Sequence, residues 1–369
     1  MCAVAKTGRI NSIDALRGAT LLGILLVHVN GGFGYQFDTA SFSLYEKGLR
    51  GVIYILLSNR CAPIFSMLFG VSFYLILRNP SYSSSKFLWW CILLICIGLF
   101  NKLFYTYDAL MWYGLCGIFL LPMRNTKPRT IFVVFVTVFI ASCILSEYQI
   151  GSCLFRVDTP MHRYSGAFNL TNILEYPLTQ SVVDYIRIVC DSGILWTYAY
   201  FVFGYYIARS GIIDSLEHYS IFKNLVLIGI PYFILLVLWG ITLYFNIEST
   251  VLDWVLKLRS ITGALFYAVA FLWLYYKFPK VFNPLCAYGK CGLTNYSMQS
   301  ILGVILMATL FIPKESGFLT IVITFLIFYI LQMALSALWL KYFTNGPMEY
   351  VWRSMTNLRF KSPLVSKNK

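Results

Sequence analysis

Ten long runs of apolar residues, separated by short polar segments, dominate the chain. A helix needs about 20 consecutive apolar residues to cross a bilayer, whereas a membrane strand needs only about ten. The pattern therefore predicts an all-α, polytopic membrane protein whose helices satisfy their own backbone hydrogen bonds in lipid. The predicted spans cover residues 13–33, 51–77, 87–104, 108–123, 130–147, 184–208, 222–245, 254–276, 293–312 and 318–342.

Composition agrees with this pattern, since 59% of the residues are hydrophobic and only 12% are charged. Soluble domains average about 25% charged residues. We predict one transmembrane domain over residues 1–345, with an outer loop at 147–183, and a cytoplasmic interfacial helix with a basic tail over 346–369. In that short helix Glu349 and Arg353 form an i,i+4 pair, and the apolar face consists of Met348, Val351, Trp352 and Met355.

The net charge of +14 has a simpler cause than nucleic-acid binding. An even number of spans puts both termini on one side, and most basic residues of the connecting segments lie on that side. Cytoplasmic loops carry such an excess of Lys and Arg. Both termini are therefore expected in the cytoplasm, no nucleic-acid partner is expected, and the first span is expected to be a retained helix.

The first span carries three ionisable side chains, Asp14, Arg17 and His28. Eleven helical steps from Arg17 to His28 leave a net rotation of about 20° and a rise of about 16 Å, so both lie on one face. Asp14 lies one turn below. An ordinary anchor helix with snorkelling ends explains Asp14 and Arg17. It explains His28 less well, because ionisable residues inside a membrane usually serve a function.

Other polar residues interrupt later spans. Asn59 and Arg60 precede Pro63, which predicts a kinked second span with a buried cation near mid-membrane that pairs or lines water instead of facing lipid. Asp191 is one candidate partner, deeper in its span than the i,i+3 pair Asp184 and Arg187.

Asn295 and Gln299 share a helix face, where they serve either as interhelical glue or as substrate contacts. Asp108 lies at the outer end of the fourth predicted span, where the ordinary role of a helix N-cap explains it. No pair of cysteines has zinc-ligand spacing, and no familiar catalytic motif appears. We expect no metal and no tightly bound cofactor.

Several segments resemble the YeiB-like bacterial inner-membrane proteins (domain of unknown function 418). They are IDALRGATLLGILLVHVN, PIFSMLFGVSF, YDALMWYGLCGIFLL, GKCGLTNYSMQSIL and LKYFTNGPMEYVWRSMT, in the family's order. That family is similar to transmembrane acyltransferases, among them acyltransferase family 3 and heparan-alpha-glucosaminide N-acetyltransferase. Members of acyltransferase family 3 carry an Arg and a His 11 residues apart in their first helix. Arg17 and His28 have this spacing, although YeiB-like proteins often have Asn at the position of His28.

The resemblance implies a bacterial inner-membrane acyltransferase. It would move an acyl group, most simply acetyl, from cytosolic acyl-CoA to a hydroxyl or amine of an envelope glycan or lipid-linked acceptor. We expect His28 to act as base or acyl carrier, with Arg60 or Asn295 as an oxyanion donor, and Arg17 with Asp14 to bind the donor. The expected substrate pocket comprises Asn30, Asn59, Asp191, Asn295 and Gln299.

Two alternatives remain open at this point. A transporter or flippase would use Arg60, Asp191 and Asn295 as a path without covalent chemistry, although no internal repeat supports this. A structural subunit would use the polar residues as helix glue. The sequence leaves a homo-oligomer open.

The charge distribution generates a topological prediction. In intact cells, a membrane-impermeant thiol reagent should modify a cysteine placed at Thr171 and spare one placed at Ser366, because the first lies in the outer loop and the second in the cytoplasmic tail. The reverse labelling pattern would overturn the orientation and, with it, the side from which the donor arrives.

Overall fold

The structure, a computed structural model, describes residues 11–34, 37, 42–79, 82–105, 108–147, 192–212, 221–245, 250–312, 314 and 316–357. Within these ranges the regular structure is helical and no strand occurs, which confirms the all-α fold. Seven helical segments of the described residues are long and apolar enough to cross a membrane, and one of them, Leu44–Leu77, consists of two consecutive helices.

The described residues form thirteen α-helices. They are α1 (Asn11–Asn30), α2 (Leu44–Leu57), α3 (Cys61–Leu77), α4 (Ser84–Lys102), α5 (Leu110–Leu120), α6 (Pro128–Glu147), α7 (Ser192–Arg209), α8 (Ile221–Tyr244), α9 (Thr250–Lys277), α10 (Pro279–Lys290), α11 (Gly292–Leu306), α12 (Phe318–Tyr342) and α13 (Pro347–Asn357). Short 3₁₀ turns follow α1 and α5, and a π-helical turn, Met307–Phe311, extends α11.

Each predicted span overlaps one of these helices, except the second, which overlaps both α2 and α3. The helix α5 has only 11 residues and continues into the 3₁₀ turn Leu121–Asn125, so by itself it is too short to cross a bilayer. The number of spans, ten, and the location of the termini stay predictions. The loop 148–183, Asp184, Arg187 and Asp191 lie outside the described residues, as does the basic tail from residue 358.

The predicted second span is two helices, not one kinked helix. A capping box starts α2, in which the hydroxyl of Ser43 accepts from the backbone N–H of Glu46 and the Glu46 carboxylate accepts from the N–H of Ser43. The break falls at residues 58–60, where Asn59 adopts a left-handed conformation with φ of 57°. Pro63 lies in the first turn of α3, where a missing N–H breaks no helical hydrogen bond. Asn59, and not Pro63, therefore marks the break.

The helix α10 is an element that the apolar pattern did not predict, because its segment was assigned to a connecting loop. It packs closely along the first half of α1. A Cβ on Gly18 would lie 2.5 Å from the carbonyl oxygen of Leu285, and a Cβ on Gly289 would collide with the carbonyl of Asp14. Glycine at both positions lets the two backbones touch.

The predicted interfacial helix α13 is more deeply integrated than its pattern indicates. The indole of Trp352 stacks on that of Trp90, with 4.1 Å between ring centroids, and its Nε1 donates to the carbonyl of Trp90 at 3.1 Å. Of the predicted apolar face only Trp352 is buried; Val351 and Met355 are 49% and 42% exposed. The predicted helix is confirmed, and Trp352 of its apolar face packs into the bundle. The location of α13 at the cytoplasmic interface stays a prediction.

Glu349 fixes α13 to the start of α11. One carboxylate oxygen accepts from the backbone N–H groups of Leu293 and Thr294 at 2.7 and 3.2 Å, and the other accepts from the Thr294 hydroxyl at 2.5 Å. The N–H groups of a first helical turn have no partner within their own helix. The buried carboxylate thus caps α11 from another helix, a role that an i,i+4 surface pair with Arg353 did not predict.

Glu349→Ala should lower the stability of the protein in detergent by about 2–3 kcal/mol, because three donors lose a charged acceptor. Thermal unfolding measured with purified protein checks this, with the exposed Val351→Ala as the control in the same helix. Unfolding of both variants at the wild-type temperature would contradict the capping role.

Candidate functional site

A cavity of about 300 Å³ opens beside the first half of α1. Its walls come from α1, α3, α4, α5, α10, α11 and α13, so helices from both ends of the sequence form it. The charged and polar lining includes Asp14, Arg17, Ser72, Lys290 and Tyr296.

Arg17 is held in this cavity by three neighbours. Its Nη1 donates to the Asp14 carboxylate at 2.9 Å and to the carbonyl of Gly289 at 3.5 Å, and its Nη2 donates to the hydroxyl of Ser72 at 3.0 Å. The side chain remains 18% exposed. Asp14 and Arg17 lie on the same face of α1, as helical geometry predicted, and the guanidinium is fixed without being sealed from the cavity. Their role in donor binding stays a prediction.

The electrostatics of the cavity favour an anion. Lys290 and Arg353 line it together with Arg17, against the carboxylates of Asp14 and Glu349. The Glu349 carboxylate is already engaged by three hydrogen bonds, and three cations face two carboxylates in the lining. Guanidinium and ammonium groups at the mouth of a cavity suit phosphate groups.

The cavity ends at Tyr296, and His28 lies directly behind this ring. The centroids of the two rings are 6.5 Å apart, and His28 also contacts Tyr105 at 4.8 Å and Phe33 at 5.6 Å. His28 is therefore not part of the cavity lining. Its Nδ1 is buried and has no hydrogen-bond partner among the described residues. Arg17 and His28 both face α11, in agreement with the predicted single face.

A buried polar cluster lies on the far side of Tyr296. The side-chain amide of Asn101 donates to Asp108 at 3.2 Å and to the hydroxyl of Ser297 at 3.0 Å. Asp108 also accepts from the backbone N–H of Leu110 at 2.9 Å, which confirms its capping role. The hydroxyl of Tyr296 accepts from the backbone N–H of Ala109, the residue after Asp108, at 3.3 Å.

Sequence reasoning did not identify Tyr105 and Tyr296 as neighbours of His28. It also missed Asn101, the centre of the polar cluster beyond Tyr296. Tyr296 follows Asn295 directly and falls on a different face of α11. Aromatic residues are abundant throughout the spans, with 27 Tyr and 30 Phe in the chain, so no local signal distinguishes these two tyrosines.

Arg60 does not line the Arg17 cavity. Its side chain is fully buried, and its Nη1 donates to the carbonyls of Ser58 and Asn59 at 3.2 and 3.1 Å. The guanidinium carbon lies 5.6 Å from the ring centroid of Tyr232. The prediction that Arg60 avoids lipid is confirmed, whereas its suggested partner Asp191 lies outside the described residues.

Asn30 and Asn59 lie at two further places. Asn30 anchors Arg50, whose guanidinium donates to its backbone carbonyl at 3.0 Å and to its side-chain oxygen at 3.3 Å. Asn59 lines a second cavity, of about 320 Å³, with Tyr200, Lys257 and Ser260. Neither residue reaches the Arg17 cavity.

Asn295 and Gln299 belong to a buried network between α10, α11 and α12. The Asn295 amide donates to the carbonyl of Tyr288 at 3.0 Å and to Ser336 at 2.9 Å, while that of Gln299 donates to the Tyr288 hydroxyl at 2.6 Å. These contacts are those of interhelical glue. Asn295 also lines a separate cavity of about 370 Å³, so a substrate contact there stays a prediction.

Comparison with known proteins gives one family and several full-length relatives. Residues 207–359 match a family described as "Protein of unknown function (DUF418)". The chain is 29% identical to an uncharacterized 39.9 kDa protein in the amylase 3' region of Bacillus acidopullulyticus, with 99% of this chain and 98% of the relative aligned. It is 25% identical to the uncharacterized protein YxaH of Bacillus subtilis, over 98% and 97% of the two chains. It is 23% identical to the uncharacterized protein YeiB of Escherichia coli, over 96% and 98%. No solved structure matches.

The network around Asn295 allows a test of whether this residue joins helices or binds the substrate. Asn295→Ala should destabilise the protein by about 1 kcal/mol, the usual scale for a polar contact between membrane helices, because Ser336 and the Tyr288 carbonyl lose a partner. Thermal unfolding of this variant is compared with that of Thr324→Ala, whose hydroxyl bonds only its own helix. Unchanged stability with lost function would instead assign Asn295 to the substrate.

Proposed function

We propose that this chain, which belongs to the YeiB-like DUF418 family, is an acyltransferase of the bacterial inner membrane. It takes an acyl group, most simply acetyl, from cytosolic acyl-CoA and delivers it to a hydroxyl or amine of an envelope glycan or lipid-linked acceptor. The observation that carries the proposal is the cavity beside α1, with Arg17 in its wall and His28 directly behind its far end.

The lining of the cavity offers groups that suit both ends of the donor. Acyl-CoA carries phosphates at one end and a thioester at the end of a long, thin arm. Arg17, Lys290 and Arg353 provide cationic partners for the phosphates. Phe65 and Leu110 provide an apolar surface for the arm further in. Binding in this direction carries the thioester towards Tyr296.

His28 acts as the general base in this proposal. It takes the proton of the acceptor hydroxyl or amine while the oxygen or nitrogen attacks the thioester carbonyl. The tetrahedral intermediate then collapses, the carbon–sulfur bond breaks, and the proton passes from the imidazolium to the leaving thiolate. The products are the acylated acceptor and free CoA, so atoms and charge balance.

The geometry changes two of the expected roles. Tyr105 and Tyr296 contact the His28 ring, whereas Arg60 and Asn295 bind other parts of the protein. We therefore assign oxyanion stabilisation to a tyrosine hydroxyl in place of Arg60 or Asn295. Tyr296 stands between the cavity and His28, so its ring has to rotate before the thioester reaches the base.

A transporter or flippase is the second candidate function. Arg60 and Arg259 are buried cations whose side chains retain N–H groups without acceptors in the described part of the chain, as a path for an anion would require. Transfer of radiolabelled acetyl from acetyl-CoA by purified protein supports the first function. Scrambling of a labelled lipid in liposomes without any acyl transfer supports the second.

The function is tested at His28. His28→Asn, which restores the side chain common in the nearer family, should lower kcat for acyl transfer by about 100-fold or more, because the general base is lost. The protein should still fold, since the Nδ1 of His28 has no partner to lose among the described residues. The same change at His218, which the sequence places between two spans, is the control. Full activity of His28→Asn would make the histidine a packing residue and its spacing from Arg17 coincidental.

The same assay separates donor binding from chemistry. Arg17→Ala should raise KM for acyl-CoA with a smaller effect on kcat, since its contact with the donor persists throughout the reaction. Arg78→Ala, at the exposed end of α3 on the same side of the membrane, should leave KM unchanged. An equal rise in KM for both variants would indicate general electrostatic attraction instead of a donor site.

A further inference from the structure

Arg60 and Arg259 are two buried cations that the acyl-transfer site does not use. They are 0% and 3% exposed, respectively, although both belong to apolar segments that cross the membrane. The Nε and Nη2 of Arg60 and the Nε and Nη1 of Arg259 have no hydrogen-bond partner in the described ranges. A guanidinium buried without an acceptor is costly, since its charge and its N–H groups lose water without replacement.

Three helices bring the two guanidinium groups together. Gly263 lies one turn after Arg259 on α9, and a Cβ at Gly263 would lie 2.6 Å from the Nε of Arg60. On α8, Tyr232 and Trp239 are two turns apart; their ring centroids lie 5.6 Å from the Arg60 guanidinium and 3.8 Å from that of Arg259. Because Gly263 is one turn from Arg259 and contacts Arg60, the two cations lie next to each other between these helices.

The described surroundings do not neutralise this pair. The one ion pair found among the described residues is Asp14–Arg17, in another part of the protein. Aromatic faces stabilise a cation only in part, and two positive charges in a low-dielectric interior repel each other. A bound oxyanion between them removes the repulsion and supplies acceptors for the free N–H groups. The planar guanidinium fork suits phosphate oxygens in particular.

The pair lies away from the Arg17 cavity. Ser72, which contacts Arg17, is 12 residues further along the chain than Arg60, a rise of about 18 Å. Next to Arg60, Cys61 faces Gly23 in the second half of α1. The two arginines therefore lie towards the side of the membrane at which α1 ends.

Among the described helices, α8 covers the pair on one side, through Tyr232 and Trp239. This helix packs along α9 and makes few contacts with other described helices, and its outward face is apolar and exposed, with Phe233, Val237 and Ile241. A helix held by a single neighbour can be displaced without unpacking the core. A ligand with an apolar tail can reach the arginines from the bilayer by this route, whereas a free anion would have to cross hydrocarbon.

We propose that Arg60 and Arg259 bind the phosphate group of a lipid or lipid-linked molecule that enters from the bilayer beside α8. The binding site stands on the contacts of these residues alone. Only its use as the acceptor site for acyl transfer rests on the proposed function.

The experiment is a titration of protein purified in phosphate-free maltoside detergent with dioctanoyl phosphatidic acid, followed by native mass spectrometry. Wild-type protein should bind the phosphatidic acid and not dioctanoyl glycerol, which has the same tails and no phosphate. Arg259→Gln and Arg60→Gln should each weaken binding by about tenfold or more. Lys257→Gln is the matched control, because Lys257 lies two residues from Arg259 but donates to the carbonyl of Cys143, and it should bind as wild type does.

Gly263→Ala keeps both charges, so it still tests the site if the arginine variants fail to fold. Its methyl group would displace the Arg60 side chain, so it should also weaken binding of phosphatidic acid.

Inorganic phosphate that binds as tightly as the lipid would overturn the lipid assignment. Equal binding by wild type and both arginine variants would overturn the site. The site would also be overturned if the wild type did not bind phosphatidic acid and the Asp191→Asn variant did, since Asp191 would then be the counterion of the arginines. None of these outcomes depends on acyl transfer.

Discussion

The backbone contact between α1 and α10 is the constraint on which the Arg17 cavity depends. Gly18 and Gly289 allow the two helices to approach until carbonyl groups and α-carbons touch. The contact brings the Gly289 carbonyl to Arg17 and fixes the end of α10. Since α11 begins at Gly292, immediately after α10, the same contact also sets the position of Tyr296 relative to His28. One close approach of two helices thus positions both ends of the cavity.

Polar groups inside the bundle follow two different patterns. In the clusters around Asn101 and around Asn295, nearly every donor meets an acceptor from another helix, as a medium without water requires. Arg60 and Arg259 depart from this rule among the described residues. The amide oxygens of Asn101 and Gln299 and the Nδ1 of His28 also lack a partner there. Burying the two guanidinium charges costs more free energy, and something that binds them has to offset that cost.

The apolar pattern predicted the helices well because it reports the length of each membrane-embedded segment. It failed where the deciding contact is not local. The break at Asn59 depends on one left-handed residue, and the pattern assigned the irregularity to Pro63. The helix α10 contains lysines and prolines and looks like a loop, yet its glycine contact with α1 keeps it in the bundle. The α1 face with Arg17 and His28 was predictable from helical geometry. Tyr105 and Tyr296 were not, since their proximity to His28 arises from helices distant in sequence.

The bond between Glu349 and the first turn of α11 has a consequence for biogenesis. Ribosomes synthesise α13 after every helix that it touches, namely α4 through the Trp90 stack and α11 through the Glu349 cap. Until translation passes residue 349, the amides at the start of α11 lack their carboxylate, and one wall of the Arg17 cavity is missing. The bundle therefore closes from its C-terminal side, and a chain that ends before residue 349 lacks both contacts and one wall of the cavity.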